Sequence, residues 1–183
     1  MATEKFAKLT SHIHFLEWNI FRLSSLPVSN LTYPKIFEYY SAIHMSRRHK
    51  KQFYVWKNID KKKKKKAGFP IMDMGVDVSD LHFKNIVQSK YYSANNIITY
   101  GKLATFLSTP MLTGKESKLT LFRTDHSFVD CTVQRIVDRG DLEEVLINNE
   151  QFLHDVNDIK IVFEKLGCNT TWMQWYDKFS KNK

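Results

Sequence analysis

Three residues of the types that handle phosphate chemistry stand close together in this chain: Asp77, Gln88 and Lys90. Asp77 falls near the end of Met72-Asp73-Met74-Gly75-Val76-Asp77-Val78. Gln88 and Lys90 stand two positions apart in Asn85-Ile86-Val87-Gln88-Ser89-Lys90-Tyr91-Tyr92. Each run reads as a short strand, near 71–78 and 85–91. Side chains alternate along a strand, so Gln88 and Lys90 project from one face. Pairing of the two strands through a bend at Ser79-Asp80 would bring an acid, an amide and an ammonium into one small volume. Hydrolysis of a phosphodiester with a divalent cation uses such a set: a carboxylate to hold the ion, a second oxygen to complete its shell, and a lysine to orient water and offset transition-state charge.

Each residue also has a plainer reading. An aspartate at a strand end often does no more than shape the next turn. An amide and an ammonium inside an apolar strand are harder to account for, because burying them without partners costs stability. Asp73 shares the face of Asp77 on a regular strand but lies about 13 Å away along it, too far for a common ion unless the chain bulges at Gly75. Asp125-His126-Ser127 is not the geometry of a catalytic triad; it reads as the capped start of a helix. His12 and His14 lack the spacing of a zinc site.

The ordered pattern Asp-x-Gly-Val-Asp-Val (Asp73 to Val78) followed by Val-Gln-Ser-Lys-Tyr-Tyr (Val87 to Tyr92) resembles the core of the PD-(D/E)xK nuclease superfamily. Within it the pattern is most similar to the Mrr-like restriction endonuclease branch, where glutamine commonly replaces the middle acid. The resemblance continues upstream in Lys35-Ile36-Phe37-Glu38-Tyr39-Tyr40, similar to the first helix. Downstream it takes in Ile97 to Phe106 (a helix), Leu119 to Thr124 (a strand) and Val145 to Leu153 (a last strand and helix start). It covers roughly Thr32 to Asp158.

The resemblance implies an α/β fold, a restriction-endonuclease-like mixed β-sheet flanked by helices. It also implies a metal-dependent DNA endonuclease working with Mg²⁺ or Mn²⁺ by in-line hydrolysis. Asp77 would be the main metal carboxylate, Gln88 a neutral ligand, the Ser89 carbonyl a further contact and Lys90 the catalytic lysine. A neutral Gln88 leaves the site one negative charge short; Glu38 would restore it, or is simply a solvated helix residue. The alternative is a catalytically weak or inactive DNA-binding module of the same fold. DNA is the expected partner, with a helicase or ATPase module on another chain or beyond this one, since no Gly-x-x-x-x-Gly-Lys-Ser/Thr loop occurs here. Cutting both strands of a duplex favours a homodimer.

The chain has 183 residues, 43% hydrophobic and 14% aromatic, enough for a folded core. Of its net charge of +9, six units belong to the single run Lys61-Lys62-Lys63-Lys64-Lys65-Lys66. That run reads as part of a solvated loop (58–68) that either grips phosphates, giving steep salt dependence, or merely keeps the loop in water. With Tyr91 and Lys102 it completes the candidate DNA-binding set; Tyr91, Tyr92 and Tyr100 line a groove or pack between sheet and helix. Cys131 and Cys168 have no metal or redox spacing, which points to a reducing, intracellular setting, cytoplasm or nucleus. No signal peptide and no apolar run of about 18 residues is evident, so no membrane partner is expected.

Three segments follow. Residues 1–31 form an N-terminal helical extension, with Phe6, Leu9, Ile13, Leu16, Ile20 and Leu23 on one face. Residues 32–158 are the core: a helix from Thr32 with Thr32 as N-cap, a strand over Gln52–Trp56, the two strands above, a helix near 98–108, a strand near 119–124, a helix near 127–139 and a strand near 143–148. Residues 159–183 are a helical tail with Trp172, Trp175 and Tyr176 closing the core or meeting a neighbouring domain.

Overall fold

The computed structural model describes residues 2–27, 29, 32–70, 74–92 and 96–167; Asp73, Trp172, Trp175 and Tyr176 lie outside them. Two helices lead into the sheet, α1 (Ala2–Ser24) and α2 (Thr32–His49). In α1 the apolar stripe is buried at Leu9, Leu16 and Ile20, but its first member, Phe6, is exposed. At the start of α2 the Thr32 hydroxyl accepts from the Ser29 N–H at 3.0 Å, turned back on the preceding chain rather than onto the helix. The middle of α2 is buried on nearly all sides (Ile36, Phe37, Tyr39, Ala42, Ile43, Met45), because α1 covers one flank and the sheet the other.

Five strands form a mixed sheet in the order β1 (Phe53–Val55), β2 (Val78–Asp80), β3 (Asn85–Lys90), β5 (Lys118–Thr124) and β7 (Glu143–Ile147). β1, β2 and β3 pair antiparallel; β3, β5 and β7 pair parallel. Parallel neighbours need a crossover. From β3 the chain passes through β4 (Asn96–Ile98), α4 (Tyr100–Leu107) and α5 (Thr109–Thr113); from β5 it passes through β6 (Ser127–Val129) and α6 (Cys131–Asp138). β4 and β6 pair with each other as a separate two-stranded parallel ribbon. A last helix, α7 (Asn149–Lys165), packs with α1 and α2 on one face and runs unbroken through the 158/159 boundary expected from the sequence.

The sheet separates two cores. On one face Phe53, Val55, Val78, Val87, Phe122 and Val145 meet the α1, α2 and α7 layer. On the other Ile86, Leu119 and Leu121 meet Leu103 and Phe106 of α4 and Val133 of α6. Alternation along β3 follows this division: Val87 and Tyr91 face α2, while Ile86 and Tyr92 face α4.

Five sequence expectations need correction. The helix expected over Ile97 to Phe106 begins only at Tyr100, because Ile97 and Ile98 belong to β4. The lysine run is a helix, α3 (Lys61–Lys66), not a loop: Asp60 caps it, accepting from the Lys62 and Lys63 N–H groups at 2.7 and 3.2 Å. Of the strand expected near 71–78, residues 71–73 lie outside the described residues, Met74 to Asp77 are not strand, and β2 runs from Val78 through Ser79 and Asp80, so the turn into β3 is Leu81–Lys84, not Ser79-Asp80. The helix near 127–139 starts at Cys131 with Asp130 as its cap; Ser127 belongs to β6, and Asp125 accepts from the Asn149 N–H at the start of α7. The strand over Gln52–Trp56 is only β1, and Trp56–Asn58 tighten into a 3-10 turn. Among the described residues no helix is long and apolar enough to cross a membrane.

Candidate functional site

Asp80 sets the site's register from a distance. Its carboxylate accepts from Lys51 Nζ at 2.6 Å, Asn85 Nδ2 at 2.8 Å, the His82 N–H at 2.9 Å and the Lys84 N–H at 3.2 Å. These bonds close the β2–β3 turn and fix the pairing of Val78 with Val87. One residue before β2, Asp77 leaves that register: its N–H donates to the Val87 carbonyl at 2.9 Å, so the chain bulges there. The Trp56 N–H donates to the Asp77 carbonyl at 2.7 Å, which holds the bulge from the β1 side. The Asp77 side chain crosses to β3, where Oδ2 accepts from the Ser89 N–H at 2.7 Å. The acid is thereby fixed against the residue between Gln88 and Lys90.

Gln88 is buried, and its Oε1 has no hydrogen-bond partner among the described residues. The amide lies against Gly75, which has a φ of +66°; a Cβ built there would sit 2.7 Å from Gln88 Nε2. Only glycine serves at that position, for its left-handed backbone and for the room it leaves. Lys90, at the end of β3 opposite Arg123, is half-buried.

Glu38 comes from the other layer. Ser41, one turn later on α2, donates its hydroxyl to the Glu38 carbonyl at 2.9 Å and lies 2.8 Å from the Ser89 hydroxyl, accepting its proton. This bridge seats the Glu38 turn over β3. Burial pushes the Glu38 carboxyl above its ordinary range, against the opposing pull of Lys57 and Lys35. Glu38 and Asp77 line one cavity of about 880 Å³. Trp56, Phe69, Pro70 and Val76 form its apolar lining, and Lys57, Lys61, Lys64 and Lys65 its cationic side.

The structure thus fixes Asp77 on the Ser89 N–H and sets Asp77 and Glu38 on one cavity with half of the lysine run; the described residues lining that cavity include neither Gln88 nor Lys90. Other expected contacts lie elsewhere. Tyr91 is packed under α2, its ring 5.8, 5.6 and 5.4 Å from those of Tyr33, Phe37 and Phe152. Lys102 is exposed on α4, donating to the Ile97 carbonyl at 2.8 Å with Nζ 5.1 Å from the Tyr92 ring centre. Lys57, Trp56 and Ser41 are not among the residues expected at the site, and Gly75 is expected only as the place for a bulge in the strand.

Two carboxylates on one cavity are oxygen donors of the kind a hard cation takes. Among the described residues no three His, Cys, Asp or Glu side chains form a metal-holding group. A cation in this cavity would need oxygen donors beyond the two carboxylates. No protein-family model, curated protein or solved structure matches the chain.

Proposed function

We propose that the chain is a metal-dependent DNA endonuclease of the Mrr-like type, with a restriction-endonuclease-like fold. The observation that carries this reading is the fixing of Asp77 Oδ2 on the Ser89 N–H, which locks the acid against the Gln88-Ser89-Lys90 strand, with Glu38 lining the same cavity. The element order α2, β1, β2, β3, α4, β5, antiparallel and then parallel, supports the proposed fold.

Asp77 and Gln88 Oε1 would hold Mg²⁺ or Mn²⁺, with the Ser89 carbonyl and Glu38 in support. The buried, unpartnered Gln88 oxygen fits that role. When bound, the cation would polarise the scissile phosphate and make water a stronger nucleophile. The residues of the chain do the rest. Asp77 stays oriented by its backbone bond; Lys90 brings an ammonium to orient water and offset charge as the phosphate is attacked; the lysines of the cavity draw in the polyanion.

A second reading, a DNA-binding module with weak or lost activity, draws on the shortage of carboxylates among the described residues. Cleavage of supercoiled plasmid with Mg²⁺ or Mn²⁺ decides between them. Wild type should cut, and Asp77→Ala and Lys90→Ala at matched DNA binding should lose about 10²-fold or more. Salt-sensitive binding with no cutting in either metal would select the binding module.

A further inference from the structure

α3 is an unusual helix. It is six consecutive lysines, so every pair three or four apart repels, and cations in its first turn oppose the helix dipole. Asp60 is the acid that caps it. Its two faces meet different surroundings. Lys61, Lys64 and Lys65 line the cavity shared by Asp77 and Glu38, whereas Lys62, Lys63 and Lys66 do not; of the six only Lys64 is half-buried. The spacing i, i+3, i+4 places the first three on one side of the helix. Lys64 is also held in place: its Nζ lies 4.6 Å from the Trp56 ring centre, and its stem is half-buried. Three ammonium groups on one wall, two carboxylates on another and an aromatic lining suit a phosphodiester strand, whose charged backbone and flat bases need different walls.

Building on the nucleic-acid reading above, we propose that Lys61, Lys64 and Lys65 hold the backbone phosphates of a strand lying in the Asp77 cavity, while Lys62, Lys63 and Lys66 only add diffuse charge. A polyanion on that face would relieve the repulsion within α3, so occupancy and helix stability should rise together.

The test exchanges faces at constant charge. Lys61→Gln/Lys64→Gln/Lys65→Gln and Lys62→Gln/Lys63→Gln/Lys66→Gln each remove three charges and keep residues of similar helix propensity. A labelled 20-nucleotide single strand and the matching duplex are titrated without divalent metal, so that binding is read independently of cleavage. The cavity-face variant should bind roughly tenfold or more weakly, and its log–log salt slope should fall by about 2 for the single strand. The outer-face variant should leave the slope near that of wild type. If removal of the Lys64 packing unfolds the triple variant, Lys61→Gln/Lys65→Gln should still lower the slope by about 1.4. Equal losses from both faces, or none from either, would overturn the assignment. So would a face-selective loss seen with tripolyphosphate alone, which would make this a free-anion site. Face-selective binding without metal-dependent cutting would sink the nuclease and leave this inference standing.

Discussion

Gly75→Ala is the substitution whose effect the structure defines most sharply. At φ +66° an alanine sits in the left-handed region, which costs about 1–2 kcal/mol. Its Cβ would also lie 2.7 Å from Gln88 Nε2 and 3.6 Å from Phe106 Cβ. The amide is the end of a side chain, but Gln88 is buried, so moving it within the core costs about 1–3 kcal/mol more. Gly140→Ala separates the two effects: its φ is +79°, but nothing lies within 4 Å of its Cβ, so it carries the backbone cost alone. Urea unfolding of both variants should therefore show Gly75→Ala as clearly the worse. In a Gln88→Ala background the excess should disappear, leaving the two glycine substitutions alike; thermal midpoints should follow at about 2–4 °C per kcal/mol. Equal destabilisation by Gly75→Ala and Gly140→Ala, or a Gly75→Ala effect indifferent to Gln88, would refute the account of how Gln88 is positioned.

Two further outcomes concern the acids. Burial raises the Glu38 carboxyl above 4.5, its ordinary value, so the folded chain holds that proton more tightly than the unfolded chain. The stability this provides is complete below about pH 4.5 and is lost as pH rises through the folded value. Glu38→Gln should thus stabilise the metal-free protein at neutral pH and have little effect in acid; a gain independent of pH in chemical denaturation would contradict this. Asp80 behaves oppositely. Burial pushes its carboxyl up, but the hydrogen bonds from Lys51 and Asn85 outweigh that and hold it below 3.8. Its contribution is present above that value and fades as pH falls through the folded value, so Asp80→Asn should cost about 1–3 kcal/mol at pH 7 and progressively less in acid, by urea titration at both pH values.

The elements with an apolar period were legible in the sequence. α2, β3, β5 and β7 each place most of their large side chains in the core, and the Asp77 and Gln-x-Lys runs do lie side by side. What escaped were features governed by other forces. A run of like charges has no hydrophobic period, so α3 looked like a loop; its visible signal was Asp60, an N-cap before residues of good helix propensity. β4 and β6 are three-residue strands that exist only because they pair with each other across about 30 positions of sequence. Asp125 read as a cap for the helix following it, whereas it accepts from Asn149 in a helix that begins 24 positions later. Local chemistry identified the cap but not its client. The cavity was likewise invisible, because Glu38, Trp56 and Lys64 meet there only through packing.

The strict division of β3 between two layers has a consequence for how this chain can vary in length. Odd positions (Val87, Ser89, Tyr91) serve the α2 layer, and even positions (Ile86, Gln88, Tyr92) the α4 layer. One residue inserted or deleted between Asn85 and Lys90 would exchange the two sets downstream, turning the amide toward Ser41 and the serine hydroxyl toward Phe106. A change of two would restore the faces but leave Lys90 out of step with Arg123 on β5. Substitutions in β3 can be absorbed one at a time, whereas indels cannot, and among descendants of this sequence the spacing from Asp77 to Lys90 should change last.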